Sequence, residues 1–252
     1  MGWCTAGMEI ELFEAAGFVH EYKEEAMSFY RPFFTSEETM TTFFRNIFNF
    51  EITSEAEGDR KYIPRRMMNQ IQRFVSLAND IEQIRPGRDP LKILFFRVCL
   101  ESLCSLSQKK KCDFFANIET YMSDEGKAYI TDHFQLTSWK FESTDSTLDN
   151  FPQNVEIPLS LDELLYIIKS VRDISVHEGD YWSMKLFSDK ADCPFITTLT
   201  TKEAIISSVK PNGKKITYGF TTSLDFQIFT YHFVRMCITY VEKYMHTHLL
   251  KA

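Results

Sequence analysis

The stretch LKILFFRVCLESLCSLS, residues 91 to 107, carries apolar side chains on most of the circumference that a helix would have. A helix of this kind is buried on nearly all sides, so the stretch predicts the central helix of a folded domain. The preceding segment, Ile63 to Ile84, places apolar residues at the three-and-four spacing of an amphipathic helix. RPGRDP, residues 85 to 90, separates the two helices because its prolines and glycine interrupt helical hydrogen bonding.

Two further helices are predicted after this pair. One runs from Asp113 to about Phe134. The next begins at Ser160, because Ser160 and Glu163 match the S-x-x-E capping box, and Gly179 stands where a helix-ending glycine is expected. An apolar stripe follows this cap, formed by Leu161, Leu164, Leu165, Ile168, Val171 and Ile174.

A β-hairpin and a last helix complete the predicted fold. The run EAIISSVKPNGKKITYGFTT, residues 203 to 222, has two β-rich parts around a turn at Pro211 to Gly213. The last helix spans about Ser223 to Leu250, with Thr222 and Asp225 at capping spacing. The fold class is therefore mainly α, a helical bundle with a small β-hairpin inserted before the last helix.

The segment before residue 63 is rich in phenylalanine and fits short helices and short strands equally well. We therefore expect residues 1–62 to form an irregular N-terminal extension packed on the bundle, and residues 63–252 to form the helical domain.

Composition narrows the classes of function. The chain has 252 residues and a net charge of −7, so any contact with RNA must be local rather than spread over a basic surface. Six cysteines without a CxxC pair favour a reducing, cytoplasmic compartment. No apolar stretch is long enough to span a membrane, so we expect no membrane contact.

The helix that starts at Ser160 carries the candidate catalytic residues, in the run RDISVH. Asp173 and His177 are four residues apart and so share a helix face, where the carboxylate could orient the imidazole. Arg172 is five residues before His177, about 140° around an ideal helix, so the two side chains converge only if the arginine folds over or the last turn unwinds.

The run RDISVH resembles the signature of the HEPN superfamily, in which arginine, a polar residue and a later histidine lie on the third main helix of a bundle. The helix containing Glu101 also looks like the buried helix of that family, which has a central acidic residue. The resemblance covers about residues 63 to 250. It implies a metal-independent endoribonuclease, of a toxin or defence system, that works as a homodimer and is controlled by a neutralising partner protein.

The chemistry of RNA cleavage fits these residue types. A proton must leave the 2′-OH, another must reach the 5′-oxygen, and the phosphate needs charge stabilisation, tasks suited to histidine and arginine. One histidine cannot be acid and base at the same moment, so a two-fold dimer would supply the second. His177 is then the proton-transfer group, Arg172 binds the phosphate, and Asp173 orients the imidazole.

Other interpretations remain open. The chain could be a non-catalytic HEPN-like module that binds a partner protein or a nucleotide, or a plain helical scaffold in which these three residues form a solvated helix end. Candidate RNA contacts are basic residues that equally fit solvated loops, namely Lys109, Lys110, Lys111, Arg65 and Arg66. We expect neither a metal nor a cofactor, because His246 and His248 are two apart on a helix and no phosphate-binding glycine loop occurs.

Overall fold

The computed structural model describes residues 18–53, 58–85, 88–108, 112–133, 139–142, 160–162, 164–165, 168, 184–186, 195–200 and 216–249. This part of the chain is mostly helical. Among the described residues, no helix is both long enough and apolar enough to cross a membrane.

Seven helices can be given bounds within the described part. They are α1 (Phe18–Tyr30), α2 (Glu37–Thr53), α3 (Ile63–Ile84), α4 (Asp89–Leu106), α5 (Phe114–Tyr121), α6 (Asp124–His133) and α7 (Phe226–Leu249). Two 3-10 helices, Arg31–Phe33 and Gly58–Tyr62, follow α1 and α2. Residues 161, 162, 164, 165 and 168 are also helical.

The core lies between α3, α4 and α7. On α4, the Phe96 ring is stacked on Phe233 at 4.2 Å between centroids and also contacts Phe226 and Phe229. Phe96 is 1% exposed and Phe233 is 0% exposed, so the stack is fully buried. Burying a phenylalanine is worth about 1.5–3 kcal/mol, so this stack contributes strongly to holding α7 against α4.

The predicted helices α3 and α4 are confirmed, and α3 has the bounds expected from its apolar periodicity. The helix expected from Asp113 to Phe134 is instead two helices, α5 and α6. The break falls at Ser123, whose Oγ accepts a hydrogen bond from Gly126 N at 3.2 Å and caps α6.

The described part of the N-terminal segment is helical, so the expectation of an irregular extension was wrong there. Both helices join the common core through Tyr30, Phe43 and Phe50, which are buried in it. The Tyr30 hydroxyl donates to the Met68 carbonyl at 2.6 Å, and Arg235 of α7 donates to the Phe33 carbonyl at 3.0 Å.

A four-stranded antiparallel sheet has the order β1–β4–β3–β2 among the described residues. Its strands are β1 (Trp139–Glu142), β2 (Met184–Lys185), β3 (Phe195–Thr200) and β4 (Ile216–Thr221). β4 lies in the second run of the predicted hairpin, whereas β3 precedes the first run. The turn expected at Pro211 to Gly213 lies outside the described residues.

Candidate functional site

The three candidate catalytic residues, Arg172, Asp173 and His177, lie outside the described residues. The start of the helix that was predicted to carry them is described. The Ser160 carbonyl accepts a hydrogen bond from Leu164 N at 3.1 Å, as expected where a helix begins. Three residues of the predicted apolar stripe, Leu164, Leu165 and Ile168, are buried in the common core. The helix is thus attached to the bundle on the N-terminal side of the RDISVH run.

The chain is attached to the bundle again after that run, at Leu186. The Leu186 backbone N–H donates to Asp89 Oδ2 at 2.7 Å, and Leu186 itself is buried. Asp89 is the first residue of α4, where the positive end of the helix dipole favours a carboxylate. The described chain is therefore buried in the core at Ile168, before the RDISVH run, and again at Leu186, beside the N-terminus of α4.

Asp89 belongs to a buried charge cluster that composition and motifs did not reveal. Lys92 Nζ lies 2.6 Å from Asp89 Oδ1 and 2.8 Å from Glu82 Oε2, and 4.6 Å from the centre of the Phe226 ring. Burial alone would lower the pKa of Lys92, but its hydrogen bonds to Asp89 and Glu82 raise that pKa above the ordinary value. The lysine is therefore held as a buried cation, which suits a structural role. The available signal was a carboxylate and a lysine three residues apart in the otherwise apolar run DPLKILFF.

Two of the candidate RNA contacts, Arg65 and Arg66, lie in the described part of the chain. Lys109, Lys110 and Lys111 lie outside the described residues. Arg65 forms an ion pair with the buried Glu51, so its charge is already neutralised, whereas Arg66 is exposed. Arg66 is exposed and forms no ion pair with another residue in the described part of the chain.

Glu51 is itself unusual, because its side chain is only 6% exposed and its Oε1 has no hydrogen-bond partner among the described residues. Burial raises the pKa of this carboxyl, and the nearby charges of Arg65 and Lys61 oppose that change. The ion pair joins the end of α2 to the start of α3, so both Glu51 and Arg65 serve the packing of the N-terminal helices.

Glu101, the acidic residue at the centre of the expected buried helix, lies on the exposed face of α4. It accepts a hydrogen bond from Arg97 Nε at 2.8 Å. It also borders an open groove of about 410 Å³, lined by Gln70, Val98, Glu101, Ser102, Ser105 and Leu106. Among the described residues that line it, this groove has one carboxylate and no cation.

Two histidines that are isolated in the sequence are close together in the fold. His133 and His232 contact the Tyr129 ring at 4.2 and 5.3 Å between centroids. Burial lowers the pKa of His232, the nearby Glu125 raises it, and Arg235 lowers it further. His232 is 6% exposed, so it packs α7 against α6 as a neutral ring.

The remaining chemistry-bearing side chains are cysteines. Cys99, Cys104 and Cys237 are buried, and Cys112 is half-buried. Burial is common for a free cysteine. Among the described residues, no three His, Cys, Asp or Glu side chains are grouped so that they could hold a metal ion.

Comparisons of the chain with models of protein families, with curated proteins and with solved structures find no match. The case for a HEPN-type site therefore depends on the residues of the RDISVH run and on the elements that carry it.

Proposed function

We propose that the protein is a metal-independent endoribonuclease of HEPN type that acts as a homodimer. The observation that carries the proposal is the Arg172–Asp173–His177 signature in the sequence, which follows a helical segment buried through Leu164, Leu165 and Ile168. A rigid helix attached to the core is the kind of element that can hold a proton-transfer group in place.

In the proposed reaction, His177 of one protomer removes the proton from the 2′-OH. The 2′-oxygen attacks the adjacent phosphorus, the bond to the 5′-oxygen breaks, and the second protomer's equivalent histidine gives that oxygen its proton. The products are a 2′,3′-cyclic phosphate and a 5′-hydroxyl end. Arg172 stabilises the charge on the phosphate, and Asp173 orients the imidazole.

The experiment incubates the full chain with end-labelled single-stranded RNA and a chelator, beside His177→Ala and the matched control His246→Ala, which changes an exposed histidine of α7. We expect His177→Ala to lose about 10²–10⁴-fold in cleavage rate, the contribution of a general acid or base. We expect His246→Ala to cut like the unaltered protein, and RNA with a 2′-deoxy residue at the cleavage site to stay intact. Cleavage that is equal in His177→Ala, or that stops with the chelator, would overturn the proposal.

A mixing experiment tests the homodimer separately. If each site needs one histidine from each protomer, dimers containing one His177→Ala chain are inactive. Activity at constant total protein should then fall as the square of the unaltered fraction, once the protomers have exchanged. A linear fall would show that one protomer is sufficient.

The RNA contacts are proposed for Lys109 to Lys111 and for Arg66. Their joint replacement by alanine should weaken RNA binding and reduce its salt dependence, because fewer counterions are then released. Arg45→Ala, an exposed arginine of α2, is the matched control. Arg65 is a weaker candidate because Glu51 already neutralises it. If RNA binds neither form and no RNA is cut, the non-catalytic module that binds a partner protein or a nucleotide becomes the better interpretation.

A further inference from the structure

Two cysteines from different elements converge on one amide nitrogen. Nδ2 of Asn117 lies 3.5 Å from Cys104 Sγ and 3.6 Å from Cys112 Sγ. It also lies 2.7 Å from the Asp113 carbonyl oxygen. An amide nitrogen has two hydrogens, and the carbonyl takes one at this short distance. The other hydrogen is shared by the two sulfurs, so both thiols face the same point in space.

The two thiols differ in access to solvent. Cys104 is 1% exposed on α4, whereas Cys112, just before α5, is half-buried. An oxidant dissolved in water can therefore reach Cys112 first, and Cys104 is placed to react with whatever forms there.

The other described cysteines are Cys99 and Cys237, which compete poorly with Cys112 for a dissolved oxidant. Both are 0% exposed. Burial, followed by the contact with Cys99, raises the pKa of Cys237 well above its ordinary value. Because the thiolate is the reactive form, these two thiols are expected to stay inert.

We propose that Cys104 and Cys112 form a reversible, peroxide-responsive disulfide. The Cys112 thiolate attacks hydrogen peroxide, the O–O bond breaks, and sulfenic acid and hydroxide form. The Cys104 thiol then attacks the Cys112 sulfur, the S–O bond breaks, and water leaves as the disulfide forms. Two thiols and one peroxide thus give one disulfide and two waters. A thiol such as glutathione reverses the reaction by exchange.

The chain turns at the end of α4, between the two cysteines: Gln108 has a φ of +57° and Ser107 N donates to the Leu103 carbonyl. The ring closed by a Cys104–Cys112 bond would include this turn. By sequence, the ring would also contain Lys109 to Lys111. The disulfide does not depend on the proposed function, since its chemistry uses only the two thiols and the peroxide.

The test treats the reduced full chain with hydrogen peroxide under native conditions, blocks the remaining thiols with an alkylating reagent, and maps the peptides by mass spectrometry without reduction. We expect a linked peptide joining Cys104 to Cys112, which disappears after a reducing agent is added. Cys112→Ser and Cys104→Ser should each abolish it. Cys99→Ser, the matched control on the same helix, should leave it unchanged.

Asn117→Asp supplies a second measurement that does not remove either thiol. It replaces the shared donor by an acceptor, so the two sulfurs lose their common partner and the link should form at least several-fold more slowly. Near-ultraviolet circular dichroism would verify that this variant is folded. The proposal is overturned if the native, folded protein yields a link between a different pair, or if Cys112 alkylates equally before and after peroxide. It is also overturned if Cys112 is oxidised to sulfinic acid without forming a link.

Discussion

Replacing Asp89 by alanine should be among the most damaging single changes in the described part of the chain. The substitution leaves the Lys92 ammonium buried with Glu82 alone, and Glu82 is 56% exposed. Breaking a buried ion pair costs about 3–5 kcal/mol, and the surviving contact places this case near the lower limit. The Leu186 N–H also loses its acceptor, which adds about 1 kcal/mol or more. We therefore expect a loss of about 4 kcal/mol, a large part of the 5–15 kcal/mol typical of a domain.

Urea unfolding followed by circular dichroism at 222 nm measures this loss. The matched control is Arg97→Ala, which breaks the partly exposed pair with Glu101 on the same helix and should cost about 1 kcal/mol or less. Asp89→Asn with Lys92→Met removes both charges and keeps an acceptor for Leu186. That double variant should cost clearly less than the two single variants added together. The argument is that each buried charge is stabilised by the other. It would be refuted if the double variant lost as much stability as the two single variants together, or if Asp89→Ala lost less than about 1 kcal/mol.

Three further outcomes can be measured in the same unfolding assay. Gly126→Ala should destabilise α6 by about 1 kcal/mol, because the new Cβ would lie 2.8 Å from Met122 Cγ. The cost of this overpacking outweighs the gain in helix propensity. An unchanged midpoint of urea unfolding would contradict this. Asp225→Ala should cost about 1 kcal/mol, since Asp225 Oδ1 accepts from Gln227 N at 2.7 Å at the start of α7; Asp225→Asn keeps that cap and should cost less. Because burial raises the folded pKa of Glu51, the folded state holds a proton that the unfolded state loses above about pH 4.5. Stability should then fall relative to Glu51→Gln as pH rises above about 4.5, and a difference that stays constant with pH would contradict this.

The helices with strong apolar periodicity were predictable from the sequence. The bounds of α3 follow from its apolar spacing and from the breaking residues after Ile84, and α4 follows from its nearly continuous apolar surface. Both signals are local, so they do not depend on which surface packs against the helix.

The break between α5 and α6 was missed although its signal was present. Ser123 is followed by Asp124 and Glu125, which is the pattern of a capping residue with acidic residues in the first turn. The apolar spacing continued across this point and concealed it. The start of α7 was misplaced for a similar reason, because Thr222 and Asp225 stand at capping spacing in the sequence. The residue that caps the helix is Asp225, whereas the Thr222 hydroxyl accepts a hydrogen bond from Leu224 N.

The N-terminal helices and the sheet could not have been deduced in the same way. Met40, Phe43, Ile47 and Phe50 form a buried stripe at three-and-four spacing on α2. Further apolar residues lie off this stripe, and two of them, Phe48 and Ile52, stay exposed, which conceals the periodicity in the sequence. β1 pairs with β4, a partner far along the chain, with Trp139 opposite Gly219. Pairing of this kind is determined by the folded surroundings and leaves little trace in a short strand.

For the candidate site, the sequence supplied the residue types and the start of their helix, but it could not reveal what surrounds them. The buried Asp89 and Lys92 illustrate the reason. In the sequence, each is an ordinary polar residue. The pair acquires its structural role only because Leu186 binds Asp89 and Glu82 binds Lys92 in the fold. The pairing of Arg65 with Glu51 is equally invisible, since 14 positions separate the two residues.

The Phe96 stack has a consequence for synthesis on the ribosome. Its three partner rings all belong to α7, which is translated after every other described helix. Until α7 leaves the exit tunnel, the nascent chain presents Phe96 and its apolar neighbours to solvent without their covering helix. Ribosome-bound chains stalled before residue 226 should therefore recruit holdase chaperones, and release of α7 should end that association.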